Sequence, residues 1–135
     1  MTVQNSVAVR NARLDSDESA IGTAPILTIR TGAQPADCAT ANSGTVLATL
    51  TLPSDWMNAA SGGIKTKLGT WQDASADNAG TAAHYRIHDS TGTTCHEQGS
   101  VTVTGGGGDM QVDSVSFTAG QSFSVTVYTV TAGNA

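Results

Sequence analysis

The stretch VTVTGGGGDMQV, Val101–Val112, decides how the chain is read. Two short alternating apolar runs flank four consecutive glycines. Alternation with a period of two is the mark of a β-strand with one buried face. The glycine run therefore joins two strands. It lacks the Lys-Ser/Thr of a phosphate-binding loop, and it leads into DMQV, a strand pattern, where such a loop needs a helix start. Gly105, Gly106, Gly107 and Gly108 are expected to form a flexible hairpin connection, because glycine accepts positive φ without clash. So bare a loop is also able to lie flat on a partner's backbone.

Outward from this stretch the β pattern continues. Toward the C-terminus, DMQVDSVSF, the turn TAGQ and the long run SFSVTVYTVT follow. Toward the N-terminus lie CHEQGSVTVT, the turn STGTT and TAAHYRIHD. In the last of these, Ala83, Tyr85 and Ile87 share one face and His84, Arg86 and His88 the other. IKTKLGTWQD reads as a strand with its lysines on one side and Ile64, Thr66 and Leu68 on the other. In TVLATLTLP, Val46, Ala48, Leu50 and Leu52 alternate with threonines; Leu47 breaks the pattern and Pro53 ends it. SDWMNAASGG reads as one helical turn capped by Ser54 or Asp55. QPADCATANSG, residues 34–44, is a turn-rich surface loop. APILTIRTG is the first strand. Seven or eight short strands at this spacing predict an all-β fold, a single β-sandwich or jelly-roll-like domain spanning 23–135.

Residues 1–22 form the exception. Val3, Val7, Leu14 and Ile21 recur at roughly helical spacing, and Gly22 is placed to end the helix. Arg10 and Arg13 precede Asp15, Asp17 and Glu18, an order that opposes the helix dipole. A helix so weak alone is expected to dock on its own domain or on a neighbouring subunit. This arm is the expected reaching element.

Composition narrows the function. The chain has 135 residues, one domain's worth, with a net charge of −5 and six Lys and Arg in all. No nucleic-acid partner is expected, since phosphate contacts need clustered cations. No apolar run is long enough for a membrane helix, so no membrane partner is expected either. The start lacks the apolar centre of a secretory signal, so use without signal-peptide export is expected. Only 13% of residues are charged, about half the usual share. Such a Thr- and Ser-rich surface suits packing against other protein, where charge is costly to desolvate. Cys38 and Cys95 form no C-x-x-C pair; they are read as reduced thiols, with a disulfide left open.

No catalytic, cofactor or metal site is expected. His84 and His88 share a face, but their Cβ atoms lie about 13 Å apart along a strand, too far for one zinc ion. With His96, they read as surface or interface side chains. Cys95 and His96 are neighbours and point to opposite strand faces, so they form no nucleophile pair. No G-x-S-x-G occurs. Asp73, Asp77, Asp89, Asp109 and Asp113 sit in or beside turns, where aspartate serves local hydrogen bonds. Trp56 and Trp71 have two readings: each plugs an end of the core, or each stacks on a sugar ring.

Three stretches carry a resemblance: IRTGAQPADCATANSGTVLATLTLPSDWM (29–57), GTWQDASADNAGTAAHYRIHDSTGTTCHEQGSVTVTGGGGDMQVD (69–113) and FTAGQSFSVTVYTVTAGN (117–134). With TGAQPA, LPSDWM, GGGGDM and AGQ as signatures, the chain resembles a family of small virion proteins of tailed bacteriophages, over nearly its whole length. The resemblance is greatest to capsid decoration or cementing proteins, small β-sandwiches or barrels on the outside of the head. It implies a structural, non-enzymatic virion protein, assembled in the host bacterial cytoplasm and forming homo-oligomers. Its partners would be the major capsid protein or other virion proteins. A tail, baseplate or fibre component, or a glycan-binding module, is the alternative. The pattern carries no catalytic residues. Expected contact residues are Val3, Val7, Arg10, Arg13, Leu14, Trp56, Met57 and Gly105 to Gly108.

Overall fold

The computed structural model describes residues 3–133. A helix, α1 (Val7–Ile21), precedes ten strands: β1 (Ile26–Arg30), β2 (Val46–Thr51), β3 (Ile64–Thr66), β4 (Gln72–Asp73), β5 (Gly80–Thr81), β6 (His84–His88), β7 (Cys95–Val103), β8 (Met110–Val112), β9 (Ser116–Phe117) and β10 (Phe123–Thr131). Most of them form one mixed sheet in the order β2-β1-β6-β7-β8-β10-β3, with β4 also paired to β10; β5 and β9 form a small second sheet. The chain is thus an all-β, sandwich-like domain with one helix near its N-terminus.

The glycine run does not make a hairpin. β7 and β8 are parallel, with Val101 opposite Met110 and Val103 opposite Val112. The chain doubles back within six residues, whereas parallel neighbours usually need a dozen or more. The glycines make this possible in two ways. Gly105 and Gly107 adopt φ of +87° and +81°, which strains any side chain. Gly106 and Gly108 lie against Thr102, and a Cβ on either would sit 2.8 Å from that side chain. Gly108 N–H donates to Thr102 Oγ1 (3.0 Å) and Gly105 N–H to Gln111 Oε1 (2.9 Å). The run lies flat on its own strand and is tied there.

Two breaks in alternation are bulges. Ile29 pairs with Ala48 and Arg30 with Val46, so Leu47 is the extra residue, and it is wholly buried. Ile87 pairs with Glu97 but His88 with Cys95, so His96 is extra in β7. The free edge of β2 is also covered. Thr49 N–H donates to Asp73 Oδ2, Asp77 N–H to Leu47 O, and Asn78 Nδ2 to Val46 O. These bonds occupy groups that would otherwise invite another strand.

Three local expectations are corrected. SDWMNAASGG contains no helical turn; it is irregular, with isolated bridges pairing Met57 with Lys67 and Ser61 with Ile64. IKTKLGTWQD is broken at Gly69 (φ +77°) into β3 and β4. The faces of β3 are also reversed: Lys65 is buried while Ile64 is 43% exposed. The cause is α1. Lys65 Nζ pairs with Asp15 (2.6 Å) and Glu18 (2.8 Å) of the helix, so the acidic face of α1 holds the lysine inward.

Ser6 caps the start of α1, and the backbone N–H of Gly22 closes its end on Glu18 O. With no acid in its first turn and no base in its last, the helix depends on tertiary contacts. Besides Lys65, Gly63 N–H donates to Asn11 Oδ1 and Ala60 N–H to Asp15 Oδ1. Leu14 and Ile21 are buried. The helix docks on its own domain. Trp56, Trp71, Tyr128 and Tyr85 form a chain of ring contacts through the core, with centroids 5.4–6.0 Å apart. Both indoles are only 1% exposed and hydrogen-bonded, Trp56 to Gly22 O and Trp71 to Leu68 O.

Candidate functional site

All five residues of β6 are buried. Tyr85 and Ile87 face the core. His84, Arg86 and His88 lie on the opposite face, and residues 31–45 cover His84 and Arg86. Arg86 organises that cover: Nη1 donates to Thr40 O and Asn42 Oδ1, and Nη2 to Asp37 O and Cys38 O, at 2.7–3.1 Å. Its partners are carbonyl and amide oxygens. The base of the loop closes through Thr31 N–H to Thr45 O and Thr45 N–H to Thr31 Oγ1. Gln98 Nε2 reaches Pro35 O, and Asp37 Oδ1 accepts from Thr40 N–H and Oγ1–H. Those two bonds hold the Asp37 carboxyl below its usual pKa.

His84 Nδ1 lies 2.9 Å from Gly32 O, which places the proton on Nδ1. Burial pulls both His84 and His88 below the usual imidazole pKa, and Arg30 and Arg86 add to the effect. The expectation of surface histidines is corrected for these two; His96, the bulge residue, is exposed. The polar side chains of β6 and β7 are thereby divided. His84, His88 and Cys95 belong to the covered outer face, and Glu97 to the inner one. Among the described residues no His, Cys, Asp and Glu side chains converge as metal ligands.

A second constellation, which sequence reasoning missed, lies on the inner face. Tyr85 donates to Tyr128 (3.1 Å), and Tyr128 donates to Glu97 Oε1 (2.6 Å). Burial pushes the Glu97 carboxyl and both phenols up in pKa. Gly99 makes room: a Cβ there would meet the Tyr85 ring at 2.8 Å. A glycine opposite a tyrosine in paired strands was the one signal available. Asp109, across the same groove, accepts from both Ser100 N–H and Ser100 Oγ–H. It is therefore occupied in tethering the glycine loop to β7.

The expected contact residues separate sharply. Leu14, Trp56 and Met57 are 1–3% exposed; they form this chain's own core and are not surface contacts. The burial of Trp56 and Trp71 also removes the basis for sugar stacking on either ring. Arg10 is half-buried, with Nε donating to Ala132 O and its guanidinium lying over Gly63. Arg13 and Gly105 to Gly107 are exposed, and Gly108 is half-buried. Val3 is 80% exposed, Val7 49% and Val9 46%. Ile64, next to the glycine gripped by Arg10 and Asn11, is 43% exposed.

Fold and site define a class: a small all-β domain with a docked helix and an apolar N-terminal turn open to solvent. Comparison with family models, with curated proteins and with solved structures found no match.

Proposed function

We propose that this chain is a non-enzymatic structural protein of a tailed-phage virion that binds and stabilises the head shell as a decoration protein. The observation that carries the reading is the exposure of Val3, Val7 and Val9, before and within the first turn of a helix that docks on its own domain through Leu14, Asp15, Glu18 and Ile21. Apolar side chains left in water at one end of the domain are available for burial against a partner. The sparsely charged Thr- and Ser-rich surface supports the same reading, because little charge has to be desolvated on docking. The resemblance of the TGAQPA, LPSDWM and GGGGDM stretches to small virion proteins supplies the partner. Many copies on a lattice, each burying modest area, add up to strong attachment.

Co-sedimentation with expanded heads that lack the protein, and with isolated tails, tests this. Binding to heads with a rise in their melting temperature is the expected result. Binding to tails alone would transfer the protein to the tail or baseplate, and binding to neither would overturn the structural reading.

A further inference from the structure

We infer that Cys38 and Cys95 are a built disulfide site, whose closure staples residues 31–45 over the buried Arg86 layer. The inference concerns the chain itself and is independent of its partner.

Two features far apart in sequence converge to make the site. The first is the bulge in β7. With regular pairing, His96 would stand opposite His88. The extra residue instead places Cys95 there, on the outer face beneath the loop. The second is Arg86, whose Nη2 holds the carbonyls of Asp37 and Cys38 and so fixes the loop backbone that presents Cys38. The two Sγ atoms lie 3.0 Å apart, close to the bonded separation of about 2.05 Å. Both cysteines are half-buried, so neither is sealed from a small oxidant.

The chemistry is thiol–disulfide exchange with a low-molecular-weight disulfide such as oxidised glutathione. Burial, together with the hydrogen bond to Cys38, pushes the Cys95 thiol up to about 12, which disfavours it as the first nucleophile, and Cys38, carried on the covering loop, makes the first attack. One S–S bond of the reagent breaks and a mixed disulfide forms on Cys38; the released glutathione thiolate takes up a proton. Cys95 then loses its proton and attacks the Cys38 sulfur, expelling the second glutathione. Two protein thiols are oxidised, and one glutathione disulfide is reduced to two thiols.

The test is to incubate the full chain with oxidised glutathione and read intact mass, free thiols and melting temperature. Both thiols should disappear together, with loss of two hydrogens and no retained glutathione. The melting temperature should rise by about 10 °C, because the bond closes a long loop in the unfolded chain, and should fall back on reduction. Cys38→Ser and Cys95→Ser should each fail to gain that rise. The double serine variant checks that the reduced fold stands without either thiol. Retained glutathione on the wild type, a disulfide-linked dimer, or thiols that resist oxidation in the folded protein would each overturn the inference.

Discussion

His84 and His88 show what burial does to a single side chain. Each is almost wholly buried and lies near the Arg30 and Arg86 side chains, so the folded protein resists protonating them. The unfolded chain takes up those protons below about pH 6.5. Folded pKa values below the unfolded ones mean that this stability is complete above that pH and is lost as pH falls toward the folded values. Urea midpoints should therefore drop on acidification, and His84→Asn/His88→Asn should flatten the drop; an equal loss in both proteins would contradict this. Glu97 has the opposite sign. Its folded pKa is raised by burial, so stability is complete below about pH 4.3 and declines as pH rises through the folded value. Glu97→Gln keeps an oxygen to accept from Tyr128. It should match the wild type at low pH and exceed it at neutral pH in the same urea measurement. A variant less stable than wild type at neutral pH would show that the ionised carboxylate is stabilising. The alternation of HYRIH made its two faces legible. Burial of the polar face was not legible, because backbone carbonyls of the loop 34–44 receive Arg86, and no sequence signature marks a carbonyl.

The glycine run carries the chain from β7 into β8. Its role as a strand connection was readable; its direction was not. A hairpin and a tight parallel return both ask for glycine, and what separates them is the position of β10 on the far side of β8, a long-range choice. The structure distinguishes the glycines by cause. Gly108→Ala should cost about 2 kcal/mol through overpacking on Thr102, and Thr102→Ser, which removes the methyl at 2.8 Å, should recover part of it. Chemical denaturation of both variants checks this, and full tolerance of Gly108→Ala would refute the close approach. The α1–β3 contact teaches the same lesson. Asp15, Glu18 and Lys65 were visible as charges, but their pairing across 50 residues turned β3 over and placed the lysine inside. Leu47, in contrast, announced its bulge by interrupting the threonine alternation of β2.

At the scale of the whole molecule, the all-β class followed from many short alternating runs, each weak and together consistent. The contact surface was only partly legible. Periodicity marks a residue as apolar without saying whether its own chain or another covers it. Leu14, Trp56 and Met57 are covered from within, and Val3, Val7 and Val9 are not. Those valines are the proposed attachment to a larger assembly. The most direct measurement is a binding isotherm of wild type and Val7→Asp/Val9→Asp on expanded phage heads lacking the protein. Unchanged melting curves for the isolated variant would verify that its fold is intact. Saturation of the wild type at a fixed copy number per head is expected, with at least about tenfold weaker binding by the variant, as burying unpaired charge demands. Equal binding by the two proteins, or wild-type binding that never saturates, would contradict the proposed attachment.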